Sequence, residues 1–230
     1  MDVTQLNTAT NPPDGAPCCI YCAQGPATTL DHVVPRCLFG TPPSPNLVTV
    51  PACDGCNGRK STDDTFLRDY LTADLAGNDH PTAAAIFDSK VKRSIKRNQS
   101  ELANVVRRGP MNRLSLRTPA GLYMGEAVEV PLPDGRIASI LFQMARGLYF
   151  DSRKTALPQE IPYEVLRYSP DDWDRFASGP FKDKPAKILG DVFECAFICA
   201  TEDPSITLWL MRFYRRLVFI IETGALVGGK

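Results

Sequence analysis

The sequence predicts an α+β fold: a small N-terminal module of two strands and a helix, a helical basic segment, and a C-terminal mixed α+β region. Three observations predict it. Two Cys-x-x-Cys pairs, Cys19–Cys22 and Cys53–Cys56, lie about 30 residues apart and can close the segment between them into one unit. Apolar residues recur at helical spacing between residues 61 and 108. Past Gly109 the pattern changes to short apolar runs separated by turn signals.

Taken in order, residues 1–16 are polar and rich in Asn, Thr and Pro, and read as a loosely docked or disordered terminus. Residues 17–75 form the cysteine-closed module. Within it Thr41-Pro42-Pro43-Ser44-Pro45 is a stiff loop, because proline cannot continue a ladder, and Leu47–Pro51 reads as a strand returning toward the second cysteine pair. Ser61 with Asp64 fits a capping box and predicts a helix start near Ser61, followed by Phe66, Leu67, Tyr70 and Leu71 on one face. Residues 76–110 form the helical basic segment. Gly77-Asn78-Asp79 breaks the first helix, Asp79 reads as the next N-cap with Pro81 in the first turn, and His80 reads as a surface residue. Helix then runs through Ile86, Val91 and Ile95, restarts at Ser100, and ends at Gly109-Pro110.

Residues 111–230 form the α+β region, to which the sequence assigns no chemistry. Leu122–Met124 and Ala127–Val130 suggest strands, and Pro133–Arg136 a turn. Ile137, Ile140, Leu141, Met144 and Leu148 trace a helix face. Pro162–Tyr168 reads as a strand and Ser169–Trp173 as a capped helix start. Val192–Ala200, Thr207–Phe213 and Leu217–Glu222 read as closing strands of a mixed sheet.

Cysteine usage points to metal. Zinc prefers four soft ligands in a tetrahedron, and each Cys-x-x-Cys turn supplies two thiolates, so Cys19, Cys22, Cys53 and Cys56 make a structural zinc site. A disulfide framework fits poorly in a chain of this length whose start, Met1-Asp2-Val3-Thr4-Gln5, lacks an apolar signal region. A redox pair would need only one Cys-x-x-Cys. Cys18 competes as a ligand only at the wrong spacing to Cys22, and Cys37, Cys195 and Cys199 read as ordinary buried thiols. Four thiolates leave no open position on zinc, so any chemistry comes from other residues.

Those residues are Asp31 and His32 between the knuckles, Asn46 before the returning strand, and Asn57 directly after the last cysteine. His32 is one of two histidines and has a pKa range suited to a general base. Asp31 is an oxygen ligand for a hard cation such as Mg²⁺.

Read together, Cys19-x-x-Cys22, Asp31-His32-Val33-Val34-Pro35, Asn46, and Cys53-x-x-Cys56-Asn57 resemble the HNH endonuclease family in its four-cysteine zinc form, a ββα-metal or treble-clef type of module. The resemblance covers roughly 45 residues. It implies Asp31 and Asn57 as ligands of a catalytic Mg²⁺ or Mn²⁺, His32 as the general base, and Asn46 as the residue pinning the loop between the strands. Many members carry histidine where this chain has Asn57; the neutral amide oxygen favours Mg²⁺ over softer metals. The implied reaction is DNA phosphodiester hydrolysis by a one-metal, histidine-base mechanism leaving 5′-phosphate and 3′-hydroxyl ends. A weaker likeness, including Arg146-Gly147-Leu148-Tyr149-Phe150, links the second half to regions that follow such modules in uncharacterised bacterial proteins.

Net charge is zero, but the charge is segregated. From Lys90 to Arg117 there are nine Lys or Arg against one acid, Glu101, leaving the rest of the chain net negative. A local phosphate-binding surface is compatible with such a neutral protein. Lys92, Arg93, Lys96 and Arg97 are candidate DNA-backbone contacts, and Arg59 and Lys60, one turn along the helix from Asn57, are further ones. Double-stranded DNA is the expected partner, and a double-strand cutter would use two active sites, which makes a homodimer the matching assembly. No stretch approaches 18 apolar residues, so no membrane span is expected, and reduced cysteines without a signal region point to the cytoplasm. The rival reading is a non-catalytic zinc-dependent nucleic-acid binding module, which has no need for Asp31, His32 and Asn57 together.

Overall fold

A computed structural model of the chain describes residues 17–41, 46–74, 79–97, 101–108, 112–118, 120–129, 134–184 and 186–224. The expectations for residues 1–16, for positions 42–45 of the proline-rich loop, and for Gly77-Asn78, Ser100, Gly109-Pro110 and Pro133 lie outside those residues. Element composition is α+β, as the sequence predicts.

Strands β1 (Thr29–His32) and β2 (Thr49–Ala52) pair antiparallel, with Asp31 opposite Val50 and His32 opposite Thr49. Successive side chains of a strand face opposite ways. Thr29 and Asp31 therefore share the face turned to the next helix, while Leu30, on the other face, is 65% exposed. That helix, α1 (Asp54–Ala73), begins at the second knuckle, with Cys53 as N-cap. It starts seven residues before the expected Ser61. Gly55 and Gly58 lower the intrinsic helix propensity of this stretch, but the knuckle fixes its backbone and overrides propensity. Ser61, Asp63 and Asp64 consequently lie inside the helix.

The basic segment folds as α2 (Pro81–Ile86), a π-helical turn (Phe87–Val91) and α3 (Lys92–Lys96), with helical backbone angles carried through both junctions. Helix α4 (Glu101–Arg108) follows. Two corrections concern the start of α2. His80, not Asp79, is the N-cap: its Nδ1 accepts the Thr82 N–H at 3.3 Å. His80 is also buried, with Nε2 3.1 Å from Asp191 Oδ2 and its ring tilted against Tyr214. Long-range packing against the C-terminal region, which local pattern does not carry, takes this histidine off the surface.

A two-stranded hairpin, β3 (Asn112–Arg117) with β4 (Tyr123–Glu129), leads to α5 (Asp134–Arg153). The turn expected at Pro133–Arg136 is, from Asp134 on, the first turn of this helix. Arg136 in that turn donates to Asp63 of α1 at 2.8 Å and to Glu101 of α4, and stacks over Phe66.

The remaining strands form one five-stranded sheet in the order β5-β9-β8-β7-β6: β5 (Tyr163–Tyr168), β6 (Ala186–Leu189), β7 (Phe193–Cys199), β8 (Thr207–Phe213) and β9 (Leu217–Thr223). Every pairing is antiparallel, which corrects the expected mixed sheet. The reason is connection length: the links β6–β7, β7–β8 and β8–β9 are too short for a parallel crossover. Helix α6 (Asp172–Ser178) starts where expected, but its N-cap, Asp171, makes no side-chain cap hydrogen bond; the Ser169 N–H donates to Asp172 Oδ2 and the Asp171 N–H to Ser169 Oγ instead.

Alternation divides the sheet. Trp209, Met211, Phe213, Phe219 and Ile221 face a core that continues without interruption through α5 to Leu67, Val50, Ala52 and Cys19. Leu210, Val218 and Ile220 face a smaller cluster beneath α6. The β8–β9 turn reaches back to the N-terminal module. Tyr214 and Arg215, the central residues of the turn closed by the Arg216 N–H on Phe213 O, both have positive φ, as a primed turn requires, and the fully buried Tyr214 donates its hydroxyl to the Leu38 carbonyl at 2.8 Å.

Candidate metal centre and adjoining acid–base pair

The first knuckle is a tight turn: the Cys19 N–H donates to Gly25 O, and the Ala23 N–H returns to Cys19 O. The second is the N-terminus of α1. Together they bring Cys19, Cys22, Cys53 and Cys56 to one point, with all four ligand atoms within 4.8 Å of one another. This group can hold a metal ion such as zinc, and among the described residues no other cluster of three or more His, Cys, Asp and Glu does so. The Cys53 thiol is lowered to about 7, chiefly by the Cys56 backbone N–H at the helix start. Burial pushes the Cys56 thiol up. A metal removes that conflict, because it deprotonates its thiols outright.

Two arginines border the cluster. Arg59 Nη2 donates to Cys56 Sγ at 3.3 Å. Arg146, from α5, is buried and donates to the Tyr21 and Ile20 carbonyls at 3.1 and 3.2 Å, so the first knuckle is stapled to the middle of the molecule. Both offset the negative charge of a four-thiolate site.

Asp31 is tied to the first knuckle through Tyr21 and is buried. Its Oδ2 accepts the Tyr21 hydroxyl at 2.6 Å and lies 3.5 Å from Lys60 Nζ. Burial, then the Asp31 charge, holds the Tyr21 phenol well above its usual range, so it remains a donor. Lys60 Nζ also donates to the His32 carbonyl at 2.9 Å and to Asp64 Oδ1 at 2.7 Å. Burial pushes Asp64 up to about 6 despite the opposing pull of Lys60.

His32 closes β1 and is partly buried. Burial first, then Arg36, lower its pKa below the ordinary imidazole range, and Asp31 opposes them. Asn57 sits one turn before Lys60 and donates Nδ2 to Thr29 Oγ1 at 3.0 Å. That bond fixes the amide and turns Oδ1 away from Thr29. Asn46 is exposed and makes no side-chain hydrogen bond to a described residue.

Of the residues expected to face DNA, Lys92, Arg93, Lys96 and Arg97 are all exposed, with Lys92 3.4 Å from Asp88. Lys60 differs. It is 2% exposed, donates to His32 and Asp64 and pairs with Asp31, so it does not face solvent as a phosphate contact must. Arg59 is turned toward Cys56. Sequence reasoning missed Tyr21, Asp64 and Arg146. Lys60 and Asp64 carried a usable signal, an opposite-charge pair at i,i+4; Arg146 carried none, because its partners are backbone carbonyls 125 and 126 residues away.

No family model, no curated protein and no solved structure matches this chain.

Proposed function

We propose that the protein is a metal-dependent HNH-type endonuclease hydrolysing DNA phosphodiester bonds. The observation that carries this reading is a set of cross-links: Tyr21 of the first knuckle bonds Asp31, and Asn57, beside the second, bonds Thr29 on the same strand. The cysteine cluster thereby fixes a carboxylate on, and an amide against, the strand that ends in His32, which a pure binding module does not need.

The residues suit a hard divalent ion. With Asp31 Oδ2 committed to Tyr21 and Asn57 Nδ2 committed to Thr29, the atoms left over are two oxygens, Oδ1 of each, the donor type that Mg²⁺ or Mn²⁺ prefers. Asp31, Asp64 and Lys60 together carry net negative charge, which also favours a cation. When bound, the ion would supply Lewis-acid stabilisation of the phosphoryl and leaving 3′ oxygens. His32 accepts a proton from the attacking water, and its lowered pKa keeps the imidazole neutral for that role. The exposed cations of α3 hold the DNA backbone. The products carry 5′-phosphate and 3′-hydroxyl ends.

One observation favours the rival reading, a zinc-dependent nucleic-acid binding module without catalysis: a buried ammonium already lies against Asp31. Cleavage of supercoiled plasmid in Mg²⁺, Mn²⁺ or EDTA, comparing wild type with His32→Ala, decides between them. The nuclease reading expects metal-dependent nicking or linearisation, reduced roughly 10²-fold or more in His32→Ala, with zinc content and DNA affinity retained. An equally active His32→Ala ends the base assignment. Folded, zinc-loaded wild type that binds DNA but leaves plasmid intact with every metal establishes the binding module.

A further inference from the structure

We infer that Tyr21 and Lys60 are positioning residues that clamp the Asp31–His32 pair, one delivered by the first cysteine knuckle and the other by α1. The inference rests on the proposed function for the role of Asp31 as a cation ligand. Neither residue would touch DNA or the ion.

Tyr21, Asp31 and Lys60 are 8, 4 and 2% exposed, so the three polar heads meet beneath the surface. One hydrogen bond and one ion pair converge on a single carboxylate oxygen, Asp31 Oδ2: the Tyr21 hydroxyl donates to it at 2.6 Å and the Lys60 ammonium lies 3.5 Å away. A carboxylate held at one oxygen by two elements cannot rotate freely, and its second oxygen points in one direction. The Lys60 ammonium forms an ion pair with Asp31 Oδ2 and hydrogen-bonds Asp64 Oδ1 and the His32 carbonyl. The last contact grips β1 at its final residue, the one that carries the proposed base. The same two side chains therefore set the ligand oxygen and the backbone under the imidazole. Partners that orient metal ligands typically govern metal affinity by about 10- to 100-fold.

A purely structural ion pair would instead affect stability alone, and two variants separate the cases. Tyr21→Phe deletes one oxygen and keeps the ring packing. Lys60→Met alone would leave Asp64 buried without its partner, so the second variant is Lys60→Met with Asp64→Leu, which removes the pair together. The probe is Mn²⁺, with free Mn²⁺ measured by electron paramagnetic resonance on full-length, zinc-loaded protein without DNA. Imidazole NMR adds a second readout, since His32 and His80 are the two histidines and His80→Asn assigns them.

The clamp predicts Mn²⁺ affinity about 10-fold or more weaker in each variant, at unchanged zinc content. It also predicts a shifted His32 ring signal in the Lys60/Asp64 variant, with His80 unmoved. Wild-type affinity and an unmoved His32 signal in folded variants overturn it, as does a wild-type protein that binds no Mn²⁺. A change in one variant only restricts the clamp to that residue and removes the other. Wild type that binds Mn²⁺ without cutting plasmid would defeat the nuclease reading, while the clamp would still stand or fall on the affinities.

Discussion

At Gly147 one missing methyl group sets how the β1–β2 hairpin seats on α5. A Cβ there would lie 2.7 Å from both γ-methyls of Val33, a residue with no exposed surface one position past His32. Alanine is the better helix former by about 0.8–1 kcal/mol, but overpacking typically costs about 1–3 kcal/mol, and β-branched Val33 has little rotamer freedom with which to yield. Gly147→Ala is therefore expected to destabilise the protein by about 1 kcal/mol or more. In a Val33→Ala background, where the obstructing methyls are gone, the same change should be neutral or stabilising. Urea denaturation of the four proteins measures the coupling; an identical effect of Gly147→Ala in both backgrounds would remove the proposed contact. Residue-scale facts of this kind divide by range. Cys19, Cys22, Cys53 and Cys56 were legible because zinc demands a fixed residue type at fixed spacing, and the four thiols do converge. Gly147 looked like any helical glycine, and His80 like a surface residue, because the partners that decide them, Val33 and Asp191, are more than 100 residues away.

At the scale of elements, periodicity found most helices and strands, and local chemistry misplaced their ends. The apolar period of α5 was plain, whereas α1 begins at Asp54 because a knuckle, not a capping box, nucleates it. The π turn at Phe87–Val91 left no signal, since it keeps Val91 and Ile86 buried while adding a residue to the turn between them. Downstream of it, Lys92, Arg93 and Lys96 of α3 and the C-cap Arg97 all reach solvent. If this face contacts DNA phosphates, each neutralised phosphate contributes about −0.9 to the slope of log Kobs against log salt on duplex DNA. Replacing Lys92, Arg93 and Lys96 by Glu should then flatten the slope by about 2.7 and weaken binding most at low salt. Fluorescence anisotropy on a labelled duplex across 50–200 mM salt would read this, and an unchanged slope would return the segment to a merely solvated face.

Over the whole molecule, the sequence divides in composition near residue 110, yet packing does not divide there. One core runs from Cys19 and Ala52 through Leu141 and Met144 of α5 to Trp209 and Phe219 in the sheet. Arg146 ties the first knuckle's carbonyls to α5, and Tyr214 ties the β8–β9 turn to Leu38. The cysteine cluster is thus joined to the C-terminal sheet by packing and by buried hydrogen bonds. The magnitudes then favour a global response to metal loss. Structural zinc contributes an apparent binding free energy of about 10–16 kcal/mol in small peptides near neutral pH, while a domain's whole stability is about 5–15 kcal/mol. Chelation should therefore remove stabilisation comparable to that of the whole fold and unfold the sheet along with the knuckles, with Cys53→Ser acting in the same direction. Trp209 reports this from the sheet side: it is fully buried, and its indole N–H donates to Thr207 Oγ1 at 2.7 Å. Its emission should shift to the red in the same transition that releases zinc, and a Trp173→Phe background would isolate that signal. If zinc leaves while Trp209 stays buried and strand circular dichroism persists, the sheet stands by itself and the cluster stabilises only the hairpin and α1.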